Sequence, residues 1–165
     1  MLLCSTVQVW DVRSGEAVRG WYGPHICGDA LDMVGDAVLT GSWRSSEQLE
    51  VWDFGTGKRR EEVSWYGPNH SNRSLHSQPC MLYAAQFSKE NPHNPRFIVA
   101  GGSGYNEAKV FDRRKNNEVV GSVTGLRGGV FAVDFCPTGC AEGQTVALGG
   151  GDAGIRIVDL LPSRM

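Results

Sequence analysis

Three observations predict an all-β fold. Short runs that alternate polar and apolar residues recur along the chain, and four of them end alike, in an aromatic or aliphatic residue and then Asp. No stretch of ten residues or more carries a helical period. Glycine is abundant, 22 of 165 residues, and gathers with Pro, Asn and Asp between the alternating runs. That is the punctuation of turns joining short strands.

Taken in order, the chain opens in a strand from Ser5 to Trp10. Asp11-Val12-Arg13-Ser14-Gly15 reads as a turn, and Glu16 to Trp21 as a second strand, broken by Gly23-Pro24. A strand over Ile26 to Asp32 leads through Val34-Gly35-Asp36 into Ala37-Val38-Leu39-Thr40-Gly41-Ser42. After the polar loop Trp43 to Glu47 comes Gln48 to Asp53, and after Phe54-Gly55-Thr56-Gly57 a strand over Lys58 to Val63. Ser64 to Cys80, rich in Ser, Asn, His and Pro, is a long loop. The pattern restarts with Met81 to Phe87. A turn over Lys89 to Pro95 is followed by Arg96 to Ala100, Glu107 to Phe111 and Glu118 to Val123. A last round runs through Val130 to Phe135, Thr145 to Leu148 and Ile155 to Val158.

The strand-closing position falls at Trp10, Trp52, Phe111 and Val158, at intervals of 42, 59 and 47 residues. The longest interval contains the Ser64–Cys80 loop. A second echo, Trp21-Tyr22-Gly23-Pro24 and Trp65-Tyr66-Gly67-Pro68, repeats after 44 residues. Four strands in roughly 40–45 residues make the unit of a propeller blade.

On Val9-Trp10-Asp11, Val51-Trp52-Asp53, Val110-Phe111-Asp112 and Ile157-Val158-Asp159, the chain resembles the WD-repeat β-propeller family. Leu39-Thr40-Gly41-Ser42, Val99-Ala100-Gly101-Gly102, Ala147-Leu148-Gly149-Gly150 and the turn Phe135-Cys136-Pro137-Thr138-Gly139 fit the same pattern. The resemblance implies an incomplete ring or a fragment of a larger, seven-bladed propeller. Its units are a partial blade over 1–23, a blade over 24–63, the loop 64–80, a blade over 81–123, and a blade lacking its last strand over 124–165. Trp10, Trp52 and Phe111 are then packing residues. His25 and Asp152 are blade-fixing residues in a His–Ser–Trp–Asp hydrogen-bond network that is incomplete in every blade. An open arc leaves strand edges exposed, so a partner chain or further blades are expected to close it.

Charge is nearly balanced, with 16 Lys and Arg against 18 Asp and Glu, and excludes strong steering by nucleic acid. No run approaches the roughly 18 apolar residues of a membrane span, and Met1-Leu2-Leu3-Cys4 does not read as a secretory signal. Five scattered cysteines fit a reduced, intracellular setting, cytoplasmic with cytoskeletal or ciliary alternatives. The acceptor-like Asn69-His70-Ser71 and Asn72-Arg73-Ser74 carry no weight without a secretory route.

Gly101-Gly102-Ser103-Gly104 and Gly149-Gly150-Gly151-Asp152 are each followed by a strand. A phosphate loop needs a helix there, so both are read as tight turns requiring positive φ. Cys136 and Cys140 find no matching ligand pair for zinc, and nothing orients His70 or His76 toward a nucleophile. No catalytic residue, cofactor or metal is therefore assigned. The candidate protein-binding residues are Trp43, Arg44, Tyr105 and Arg127, in loops that a propeller gathers on one face, because exposed aromatics and Arg dominate interfaces. On the opposite face the turns bring Lys58, Arg59, Arg60, Arg113, Arg114 and Lys115, a rim suited to an acidic tail or a cytoskeletal surface. The expected role is a non-catalytic scaffold binding other proteins. An enzyme with a channel-face site is the alternative from another class.

Overall fold

The computed structural model describes residues 5–66, 79–136 and 145–160. The strands form four antiparallel sheets, none closed on itself. The first pairs β1 (Thr6–Asp11) with β2 (Glu16–Tyr22). The second runs β3 (Leu31–Val34), β4 (Ala37–Gly41), β5 (Leu49–Asp53) and β6 (Arg59–Glu62). The third runs β7 (Cys80–Phe87), β8 (Phe97–Gly104), β9 (Ala108–Asp112) and β10 (Glu118–Val123). The fourth holds β11 (Val130–Phe135), β12 (Thr145–Gly150) and β13 (Ile155–Asp159). Neighbours in sequence are neighbours in each sheet, as tight turns dictate. One 3₁₀ turn, Arg113–Lys115, is capped by Asp112, whose carboxylate accepts from Arg114 N at 3.0 Å.

The core lies between sheets, because each alternating strand offers a side chain to either face. Val7 and Trp21 of the first sheet meet Val38 and Trp52 of the second. Leu39, Leu49 and Val51 of the second sheet meet Leu82, Phe87, Ile98 and Phe111 of the third. Val99, Ala108 and Val110 of the third meet Val130, Val133, Phe135, Val146 and Leu148 of the fourth. Two equivalent hydrogen bonds lock the seams: Phe87 N donates to Asp32 Oδ2, and Phe135 N to Gln86 Oε1, both at 2.8 Å.

The predicted all-β class holds, and two local readings are corrected. The strand expected over Ile26–Asp32 is β3, Leu31–Val34, because the residues before it cross to the third sheet. Asp29 O accepts from Ala85 N at 3.1 Å there. Gly101 and Gly102 do not form a turn; they continue β8, and Gly149 and Gly150 continue β12. Of these runs only Gly104 has positive φ, at 95°. Close approach explains Gly101 and Gly102. A Cβ at Gly101 would stand 2.6 Å from Val130 Cγ1, and one at Gly102 would strike the Met81 carbonyl.

The strand-closing residues sort by neighbour. Trp52 is 7% exposed and Phe111 fully buried, each facing the preceding sheet. Trp10 is 55% exposed, with its Nε1 donating to Gln8 Oε1 at 3.2 Å, because no described sheet stands before the first. One buried side-chain hydrogen bond links the middle strands of the second sheet. Trp52 Nε1 donates to Thr40 Oγ1 at 2.9 Å. Register makes Phe111 and Ala100 the equivalent pair in the third sheet, and Val158 and Leu148 in the fourth. Neither of those pairs offers a donor or an acceptor, so no polar side-chain group is left unpaired there.

Candidate functional site

Two β-bulges build the most distinctive surface. In β7 the pairing slips between Leu82 and Ala84 and leaves Tyr83 without a cross-strand partner. In β11 it slips between Val130 and Ala132 and leaves Phe131 in the same position. A bulge bends its strand and re-aims the extra side chain. Both rings therefore leave the alternation of their sheets and meet edge to face, centroids 4.9 Å apart and planes at 85°. Trp43, from the β4–β5 loop, stands 6.5 Å from Tyr83 and 6.2 Å from His25. The result is a row, His25–Trp43–Tyr83–Phe131, that crosses three sheets. Trp43 is 39% exposed and Phe131 45%. His25 is held at its end, with Nδ1 3.3 Å from Ser5 Oγ and its amide donating to Ser42 Oγ at 3.3 Å.

Of the residues expected on this face, Trp43 joins the row. Arg44 turns inward. It donates to Gly23 O at 2.9 Å, to Glu47 O at 2.7 Å and to Glu50 Oε2 at 2.7 Å. Tyr105 is exposed just after β8, where its amide donates to Pro79 O at 3.3 Å. Arg127 is exposed between β10 and β11. Tyr83 and Phe131 were not among the expected binding residues. In sequence both read as core residues; the bulges show only in the register of β7 against β8 and of β11 against β12.

Of the basic residues expected on one rim, Arg59 and Arg60 lie at the start of β6 and Arg113–Lys115 just after β9, and most of their charge is already partnered. Arg59 bridges Glu47 at 2.7 Å and Glu50 at 2.8 Å. Arg60 bridges Asp36 at 2.5 Å and also pairs with Asp53. Its hydrogen bond, with those from Thr56, holds the Asp53 carboxyl down at about 2. Arg113 donates to Pro95 O at 3.0 Å and lies over the Phe87 ring, and Lys115 stands 3.9 Å from Glu118. Lys58 and Arg114 have no ion-pair partner among the described residues.

Asp152 is half-buried and bound to Arg156 at 2.6 Å, which holds its carboxyl below the usual range. Burial, with the nearby Glu107 carboxylate, pushes the Cys80 thiol up to about 12, so it stays protonated at neutral pH and is a poor nucleophile. Cys140, His70 and His76 lie outside the described residues. Among the described residues no three His, Cys, Asp or Glu side chains gather into a metal set, and no helix is long and apolar enough to cross a membrane.

No protein-family model and no curated protein matches the chain. Among solved structures it is similar to the computationally designed Ika4 protein, with a TM-score of 0.65. The two share 21% identity over 94% of this chain and 79% of that one, and the likeness is one of fold.

Proposed function

We propose that this chain is a non-catalytic docking scaffold, an arc of WD-repeat-like propeller blades that binds protein partners through the row Trp43–Tyr83–Phe131. The observation that carries this reading is the pair of equivalent bulges that aims Tyr83 and Phe131 out of their strands. Large aromatic side chains on a rigid scaffold are the usual anchors of protein interfaces. Their half-exposure sets them apart from the fully buried Phe87, Phe111 and Phe135 that hold the sheets together. The stack of meanders with a repeating Trp, Phe or Val at the same register supports the propeller reading. The basic turns are the weaker surface, since Arg59, Arg60 and Arg113 already serve carboxylates of their own chain.

Trp43→Ala and Phe131→Ala test the reading. Both side chains are partly exposed, so the fold should survive, which circular dichroism checks. Truncating an interface anchor costs about 2 kcal/mol or more, roughly a 30-fold loss of affinity. Proteins crosslinked to the wild-type chain in cells should be lost from both variants and retained by Lys58→Glu. Retention by both aromatic variants, with loss from Lys58→Glu, would move the surface to the basic turns and contradict the reading.

A further inference from the structure

The shape and chemistry of the aromatic row select a class of ligand. Its rings do not make a flat platform. Trp43 and Tyr83 are tilted by 58°, and Tyr83 and Phe131 by 85°, at steps of 6.5 and 4.9 Å. Rings set steeply to one another leave notches between them, which suit a ridged ligand better than a planar one. Tyr83 and Phe131 already touch edge to face, so they enclose no space for a cation.

The row also carries donors that the protein leaves unused. Among the described residues no group accepts from Trp43 Nε1 or from Tyr83 Oη. An indole N–H can only donate, so a matching ligand brings free carbonyl groups. Charge narrows the choice further. No Asp, Glu, Lys or Arg belongs to the row. Arg44, next to Trp43, is spent on Gly23 O, Glu47 O and Glu50. Arg127 and Asp29 stand beside the row, each exposed, Arg127 before the glycine pair that lies against Phe131 and Asp29 after the Gly28 that lies against Tyr83. A ligand charge centred on the rings would lose water without gaining a partner, so the centre of the ligand is uncharged.

We propose that the row binds a proline-rich segment of a partner protein in the polyproline II conformation. Such a segment has three residues per turn, each rising about 3.1 Å, and no internal hydrogen bonds. Its pyrrolidine rings form ridges for the notches, and one turn, about 9 Å long, is on the scale of the row. Its carbonyls are free to accept from Trp43 and Tyr83, and proline has no N–H to leave unpaired. A helix would bring carbonyls already bonded within itself. Aromatic-lined grooves recognise segments of this kind, whose preformed shape keeps the entropy cost of binding low. The proposal rests on the row being the docking surface, as argued above, and adds the class of its ligand.

Decaproline, labelled with a fluorophore through a Gly-Ser spacer, is the probe. It would be titrated by anisotropy into the full 165-residue chain. Saturable binding is expected with a Kd below about 1 mM, together with a shift of the Trp43 indole N–H resonance. Trp43→Phe and Tyr83→Phe each keep a ring and delete one donor, and each should weaken binding about fivefold. A D-proline peptide of opposite hand and a flexible Gly-Ser peptide should bind at least about tenfold more weakly. Trp10→Ala, at an exposed aromatic outside the row, should change nothing. No binding at about millimolar decaproline overturns the proposal. So does equal binding of the three peptides, unchanged affinity in both Phe variants, or a loss confined to Trp10→Ala. If decaproline fails while Trp43→Ala and Phe131→Ala still lose their crosslinked proteins, the ligand class is wrong and the row stands as the docking surface. If decaproline fails and those variants lose nothing, both readings fall.

Discussion

Trp52→Ala is expected to destabilise the chain by about 3–5 kcal/mol, the usual cost of deleting a buried Trp. Trp10→Ala, in the same Val-Trp-Asp motif, should cost within about 0.5 kcal/mol, the range for a surface change. The contrast rests on packing. Trp52 fills the seam with Val7, Trp21 and Val38, its ring centroid 6.3 Å from that of Trp21, whereas Trp10 faces outward. Thr40 adds a polar component. Thr40→Ala leaves the buried Trp52 Nε1 without its acceptor, at about 1–3 kcal/mol. Trp52→Phe removes the donor instead. The double variant Trp52→Phe/Thr40→Ala reproduces the Phe111 and Ala100 pair of the third sheet, so it should cost less than the two single changes together. Urea unfolding at unchanged slope measures all five. Equal losses at Trp10 and Trp52 would contradict the packing described.

Glu50→Ala is the second large effect. The Glu50 side chain is buried, and it receives Arg44 at 2.7 Å and Arg59 at 2.8 Å. Breaking a buried ion pair from one side costs about 3–5 kcal/mol. Both guanidinium groups keep access to water, and Arg44 keeps the carbonyls of Gly23 and Glu47, so about 3 kcal/mol is expected. Glu50→Gln, which keeps the volume and one acceptor, should lose less. Raised salt should narrow the gap between wild type and Glu50→Ala only slightly, since buried charges are poorly screened. A Glu50→Ala variant as stable as wild type would remove Arg44 and Arg59 from the structural framework and return them to the binding surface.

How much of this was legible in the sequence depends on whether the signal is local. The third strand of the second, third and fourth sheets was readable because Val51-Trp52-Asp53 and its relatives combine alternation with a turn-forming acid, both local properties. The strand expected over Lys58–Val63 is β6, so Arg59 and Arg60, expected in a turn, lie in that strand. The fate of its charges was not readable, because Glu47 and Asp36, which bind Arg59 and Arg60, come from other loops. The glycine pairs were misread for a related reason. Gly102 is dictated by the Met81 carbonyl on the neighbouring strand, and Gly101 by Val130 in the next sheet. Tyr83 and Phe131 look like core residues in sequence. Only the register of β7 against β8 and of β11 against β12 reveals the bulges that turn them outward.

The central claim is that stability resides in the seams between sheets and fades toward both faces left uncovered. In the seams the equivalent residues Leu49 and Val51 are buried, while in β13 Ile155 and Ile157 are 80% and 68% exposed. Native-state amide exchange tests this most directly, because protection follows local opening free energy. Amides of β4, β5, β8 and β9 should exchange only through global unfolding, and those of β1, β2 and β13 through cheaper local openings. Equal protection across all strands, or the strongest protection in β13, would contradict the account.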